Sequence, residues 1–174
     1  MASPFHDELV ARARVIDGHA DVLGMFADAG VLRRAASALA ASFASERIAK
    51  VAAVEARGFI LGAAVALELD AGFVAVRKPG GIHPGPKASV LTKPSWRGQP
   101  VTLRVQRAAI EAGERVLVVD DWAETGSQAV AAKQLIEECG GEYAGLAMLV
   151  DQLPAEVRDE LAPVFAVADA AEFR

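Results

Sequence analysis

The chain has 174 residues, 53% of them hydrophobic, and a formal net charge of −5. That length fits a single domain spanning residues 1–174, and the apolar fraction is enough to bury a sheet beneath helices. The charge is spread along the sequence, so there is no concentrated basic face for a nucleic acid backbone, and no apolar run reaches the length of a membrane span.

Met1 to Val22 is interrupted by Asp7, Glu8, Arg12, Arg14 and Asp17, charges that the apolar core of a secretory signal would not carry. Phe5 to Phe43 reads as helical segments around an irregular stretch, Asp17 to Ala29, so residues 1–47 form a candidate hood over the sheet. From residue 48 onward short apolar runs alternate with amphipathic stretches, the rhythm of a parallel sheet with crossover helices, and the predicted fold class is α/β. Strands are expected at Ile48 to Val54, Gly72 to Val76, Val116 to Val119, Tyr143 to Val150 and Val164 to Val167. Their lack of alternation predicts burial on both faces. Helices are expected at Phe59 to Leu69 and at Gln128 to Cys139, the second stopped by Gly140-Gly141. Between the second and third strands, Lys78 to Pro100 holds five prolines and four glycines and reads as a long functional loop. The lone cysteine, Cys139, cannot form an internal disulfide, which points to a reducing cytoplasm.

The segment richest in chemistry is Arg115 to Gln128, RVLVVDDWAETGSQ. A buried strand runs into two carboxylates, then a short loop with Thr125, Gly126 and Ser127 enters a helix, and the binding loop is placed at Val119 to Gln128. Unpaired N–H groups and the positive dipole end of that helix suit a phosphate. Asp120 and Asp121 stand a few residues earlier, where they could accept hydrogen bonds from vicinal ribose hydroxyls and help order a magnesium ion. The combination suits a phosphorylated pentose. The plainer alternative is that the acidic pair ends a strand and Thr125 caps the next helix. Neither the spacing of a nucleoside triphosphatase loop nor that of a dinucleotide fingerprint is present.

This segment resembles the diphosphoribosyl-binding motif of type I phosphoribosyltransferases. The resemblance extends through Glu55-Ala56-Arg57-Gly58-Phe59, Arg77-Lys78 and Pro84-Gly85-Pro86, in the order found in adenine phosphoribosyltransferases, and covers roughly Asp17 to Val167. It implies transfer of a 5-phosphoribosyl group from phosphoribosyl diphosphate to a nucleobase, adenine ahead of a 6-oxopurine or another heterocycle. A noncatalytic nucleotide or phosphoribosyl diphosphate sensor on the same fold is the alternative. The implied substrate contacts are Arg57, Arg77 and Lys78 for the diphosphate and Ala123, Glu124, Thr125, Gly126, Ser127 and Gln128 for the phosphate end. Asp120, Asp121 and Glu124 are the implied catalytic groups. Mg2+ is expected to be held mainly by the substrate, near the acidic pair, and a homodimer is the implied assembly.

Four departures from the adenine pattern concern the base. The hood motif reads His19-Ala20-Asp21-Val22, where His19 can replace a stacking ring but Ala20 cannot replace a guanidinium. The loop segment Leu91 to Gly98 lacks a carboxylate, and Gly81 stands where a lysine is common. Glu124 occupies a place that is usually alanine in adenine enzymes and aspartate in hypoxanthine-guanine enzymes, so it is either a proton acceptor or a charge favoured at a helix start. Trp122 either lines the pocket or packs beneath the loop. His6 reads as a surface residue, and His83 either meets pyrophosphate or is a bystander.

Overall fold

The computed structural model describes residues 3–16, 19–94 and 99–173. The hood consists of α1 (His6–Arg12), a two-residue ladder of β1 (Val15–Ile16) with β2 (His19–Ala20), α2 (Val22–Phe26) and α3 (Ala29–Ala41). The core follows as β3 (Lys50–Val54), α4 (Arg57–Glu68), β4 (Gly72–Val76), β5 (Lys87–Leu91), β6 (Thr102–Gln106), β7 (Arg115–Ala123), α5 (Ser127–Glu138), β8 (Glu142–Asp151), α6 (Ala155–Glu160) and β9 (Val164–Asp169). Five strands form one parallel sheet in the order β4-β3-β7-β8-β9.

The unbroken apolar runs are explained by burial on both faces. Val51, Leu117 and Val119 turn to one side, where they meet Val31, Ala35 and Leu39 of α3 and Leu61 and Val65 of α4. Ala52, Val116 and Val118 turn to the other, against Val130, Leu135 and Ile136 of α5. Every residue in this set is buried.

Two expectations need correction. The stretch Lys78 to Pro100 is not one long loop: β5 lies within it and pairs antiparallel with β6 in register from Lys87↔Gln106 to Leu91↔Thr102. Ala88, Leu103 and Val105 anchor this hairpin in the α5-side core, so apolar burial outweighs the turn-forming prolines around it. Ser95 to Gly98, part of the expected closing loop, lies outside the described residues. The second correction concerns β7, which does not stop at Val119. It continues through Ala123, pairing Trp122↔Val150 and Ala123↔Asp151, so the acidic pair sits inside the strand and the loop before α5 shrinks to Glu124, Thr125 and Gly126.

Candidate active site

The parallel arrangement brings the C-terminal ends of β3 and β7 together, each followed by a helix whose first turn faces the same crevice. Arg57, the first residue of α4, meets the acidic pair of β7. Its Nη1 lies 3.1 Å from Asp121 Oδ2. Asp121 is only 2% exposed, and among the described residues that same oxygen accepts no well-formed hydrogen bond. A buried carboxylate without a cation would be costly, so the Arg57 contact is what makes Asp121 tolerable in a core strand. Asp120 is half-buried, and its Oδ1 accepts from the Asp121 N–H at 2.9 Å. Burial first, and the Asp121 charge second, push the Asp120 carboxyl well above the usual range, while Arg57 offsets part of the effect.

The phosphate end is built on the start of α5. Gly126 is the N-cap residue, with φ of 68° and no side-chain cap, and its carbonyl accepts from the Val130 N–H at 2.9 Å. Thr125 therefore does not cap this helix. Its hydroxyl donates to Ser127 Oγ at 3.2 Å and lies 3.4 Å from the Ser127 N–H. A Cβ on Gly126 would stand 2.6 Å from Val157 Cγ1 and 2.7 Å from Leu153 Cδ2, so the glycine serves the left-handed turn and packing toward α6.

Two adjoining hollows share Arg57, Asp120, Trp122 and Gln128. The first is also lined by Ala123, Glu124, Thr125, Gly126, Ser127 and Ala129. The second, of about 410 Å3, adds Val54, Glu55, Ala56, Gly58, Lys78 and Asp121. Asp120, Asp121, Arg57, Lys78 and the whole segment Ala123 to Gln128 thus surround one crevice.

Arg77 lines neither hollow. Its Nε lies 3.1 Å from Glu55 Oε2, and its Nη1 donates to the Ile82 carbonyl at 2.9 Å. The backbone of His19 belongs to β2, and its side chain lies outside the described residues. Trp122 both lines the hollows and packs: its indole N–H donates to Gln152 Oε1 at 2.9 Å, and its ring lies 5.5 Å from Phe173. His6 is remote from the crevice and bonded to Asp7 and Glu172, which raise its pKa in that order. Burial, then the charges of Arg77 and Lys87, lower the pKa of His83, whose Nδ1 is buried without a hydrogen-bond partner among the described residues. Glu55 and Gln152 have no role legible in the sequence alone. A carboxylate directly after an apolar strand was the available signal for Glu55, and nothing local marked Gln152.

The fold is thus a parallel α/β sheet in which two helix starts and an acidic strand face one crevice. The phosphoribosyl transferase domain model matches residues 27–169, and the chain belongs to that family. A curated relative from Cereibacter sphaeroides, named adenine phosphoribosyltransferase, is 48% identical over 131 residues, covering 75% of this chain and 72% of the relative. One of the same name from Myxococcus xanthus is 42% identical over 130 residues, covering 75% and 69%. The crystal structure of adenine phosphoribosyltransferase from Rhodothermus marinus matches with a TM-score of 0.81 at 34% identity, covering 94% of this chain and 97% of that one. The Giardia lamblia enzyme complexed with 9-deazaadenine matches with a TM-score of 0.83 at 27% identity, covering 94% and 96%.

Proposed function

We infer that this protein transfers the 5-phosphoribosyl group of 5-phosphoribosyl 1-diphosphate to adenine, giving the nucleoside monophosphate and pyrophosphate. The observation that carries the reading is the convergence of Asp120, Arg57 and the Thr125 to Ser127 turn on one crevice, in a chain 48% identical to an adenine phosphoribosyltransferase. The 5-phosphate sits on the N–H groups at the start of α5 with the Thr125 and Ser127 hydroxyls. Asp120 accepts from the ribose hydroxyls. The diphosphate faces Arg57 and Lys78, while Asp121 orients the Arg57 guanidinium from below.

In the transfer, a ring nitrogen of adenine bonds to the anomeric carbon as the bond from that carbon to the diphosphate oxygen breaks, its electron pair leaving on pyrophosphate. Arg57 and Lys78 stabilise the charge that grows there. Glu124, half-buried and lining the same hollow as Asp120 and Thr125, accepts the proton released by the attacking nitrogen. The family's loop carboxylate has no counterpart between Leu91 and Gly98, which leaves Glu124 as the carboxylate placed for this work.

A divalent cation fits this site. Burial first, and the charge of Asp121 second, raise the Asp120 pKa, and further positive charge beside the pair would offset both. Among the described residues no three or more potential ligand side chains converge, so substrate oxygens would supply most of the coordination, with Asp120 adjacent. Bound magnesium would help neutralise the departing pyrophosphate.

No helix among the described residues is long and apolar enough to cross a membrane. A cytoplasmic homodimer completes the reading, on the family resemblance and the single, partly buried Cys139. Turnover of the activated sugar with adenine, hypoxanthine and guanine, magnesium present, tests the function. Adenine should give the highest kcat/KM. Preference for another base would reassign the acceptor, and no turnover with any base would overturn the transferase reading.

A further inference from the structure

We propose that Glu55 is a positioning residue that sets the diphosphate-facing turn by holding Arg77 and Lys78 together. This rests on the phosphoribosyl diphosphate reading of the crevice. A carboxylate lining an anion site is at first sight misplaced, since it repels the ligand. Both of its oxygens, however, are committed. Oε1 accepts from the Lys78 backbone N–H at 2.5 Å, and Oε2 lies 3.1 Å from Arg77 Nε. The Glu55 side chain is 20% exposed, enough burial for charge-assisted bonds to hold a geometry.

The backbone explains why a clamp is needed there. The parallel ladder between β3 and β4 ends at Val54↔Val76, with one further bond from the Glu55 N–H to the Val76 carbonyl. Arg77 then leaves the sheet and pairs instead with Arg104 of the β5–β6 hairpin. Lys78 departs from this junction, so its direction depends on what fixes the backbone there. Glu55 supplies that fixing bond, and through Arg77 it also reaches the Ile82 carbonyl. The Arg77 guanidinium lies so close to Gly81 that a Cβ there would stand 2.3 Å from Nη2. Arg77 thus fills the space that a side chain at position 81 would need, and Lys78 is left as the cation of this turn that lines the hollow.

The test is a double-mutant cycle on sugar binding and turnover. Glu55→Ala should raise the Kd and KM for 5-phosphoribosyl 1-diphosphate about 10-fold or more, the scale of losing a hydrogen bond to a charged group, while the KM for adenine stays near the parent value. In a Lys78→Ala background the same change should cost much less, because the positioned cation is already gone. Glu55→Asp, which keeps the charge on a shorter arm, should recover part of the affinity. Thermal unfolding is recorded for each variant, and Glu55→Gln replaces the alanine variant if that one does not fold. Parental sugar affinity in folded Glu55→Ala, equal losses in both backgrounds, or a fall in kcat alone would overturn the proposal. A parent protein that binds no activated sugar overturns the underlying reading instead, so the two failures are distinguishable.

Discussion

Replacing Asp120 by asparagine should stabilise the protein while removing its activity. Asparagine keeps an Oδ1 that can accept from the Asp121 N–H and has nearly the same shape, so local packing is retained. What it removes is a carboxylate whose pKa is raised by burial and by the Asp121 charge. Because the native carboxyl holds its proton more tightly than the unfolded one, the native state binds more protons between the two pKa values, and the parent loses stability as pH rises through that interval. Below the ordinary carboxylate range Asp120 is neutral in both states and the penalty vanishes. Relief of a functional-site strain of this kind commonly yields about 0.5–2 kcal/mol. For a chain of this length each kcal/mol moves Tm by about 2–4 °C, so the variant should melt about 1–8 °C above the parent at pH 8. Thermal unfolding across a pH series, followed by circular dichroism, measures the gap between the two curves. A variant less stable than the parent at pH 8, or a gap that does not shrink on acidification, would show that the Asp120 carboxylate does not cost the fold stability.

Glu124→Gln should leave the activated sugar bound, by calorimetry, but lower kcat by about 10²-fold or more, the lower end expected for loss of a general base. Thr125→Ala should weaken binding of ribose 5-phosphate by about 1.5–3 kcal/mol, one hydrogen bond to a charged group, again by calorimetry. Gly126→Ala should lower stability by about 1–3 kcal/mol in urea unfolding, because a Cβ meets Val157 and Leu153 while φ is 68°.

The five strands of the main sheet were legible because residues such as Val51 and Ala52, or Val118 and Val119, are buried on opposite faces, which produces unbroken apolar runs. The β5–β6 hairpin was hidden by its surroundings: prolines and glycines punctuate the chain before it, although Leu103 and Val105 alternate with polar neighbours as a strand should. In sequence, Asp120-Asp121 reads as a strand end because two charges rarely lie within a buried strand. The ion pair that permits it comes from Arg57, 64 positions away in the chain, and no local pattern shows such a contact. The same holds for Glu55 and Arg77, whose pairing follows from strand register rather than from the residues near either one. The phosphate turn was the most legible part of the site, since its strand, loop and helix are contiguous. Even there the direction of Gly126 toward α6 was visible only in three dimensions.

Phosphoribosyl transfer to adenine is followed by 31P NMR of the protein with 5-phosphoribosyl 1-diphosphate, magnesium and adenine. The diphosphate resonances of the activated sugar should give way to those of inorganic pyrophosphate and of adenosine monophosphate in equal amounts, and omitting adenine should halt the conversion. Unchanged activated sugar, or its conversion to ribose 5-phosphate and pyrophosphate without nucleotide, would contradict transfer to adenine.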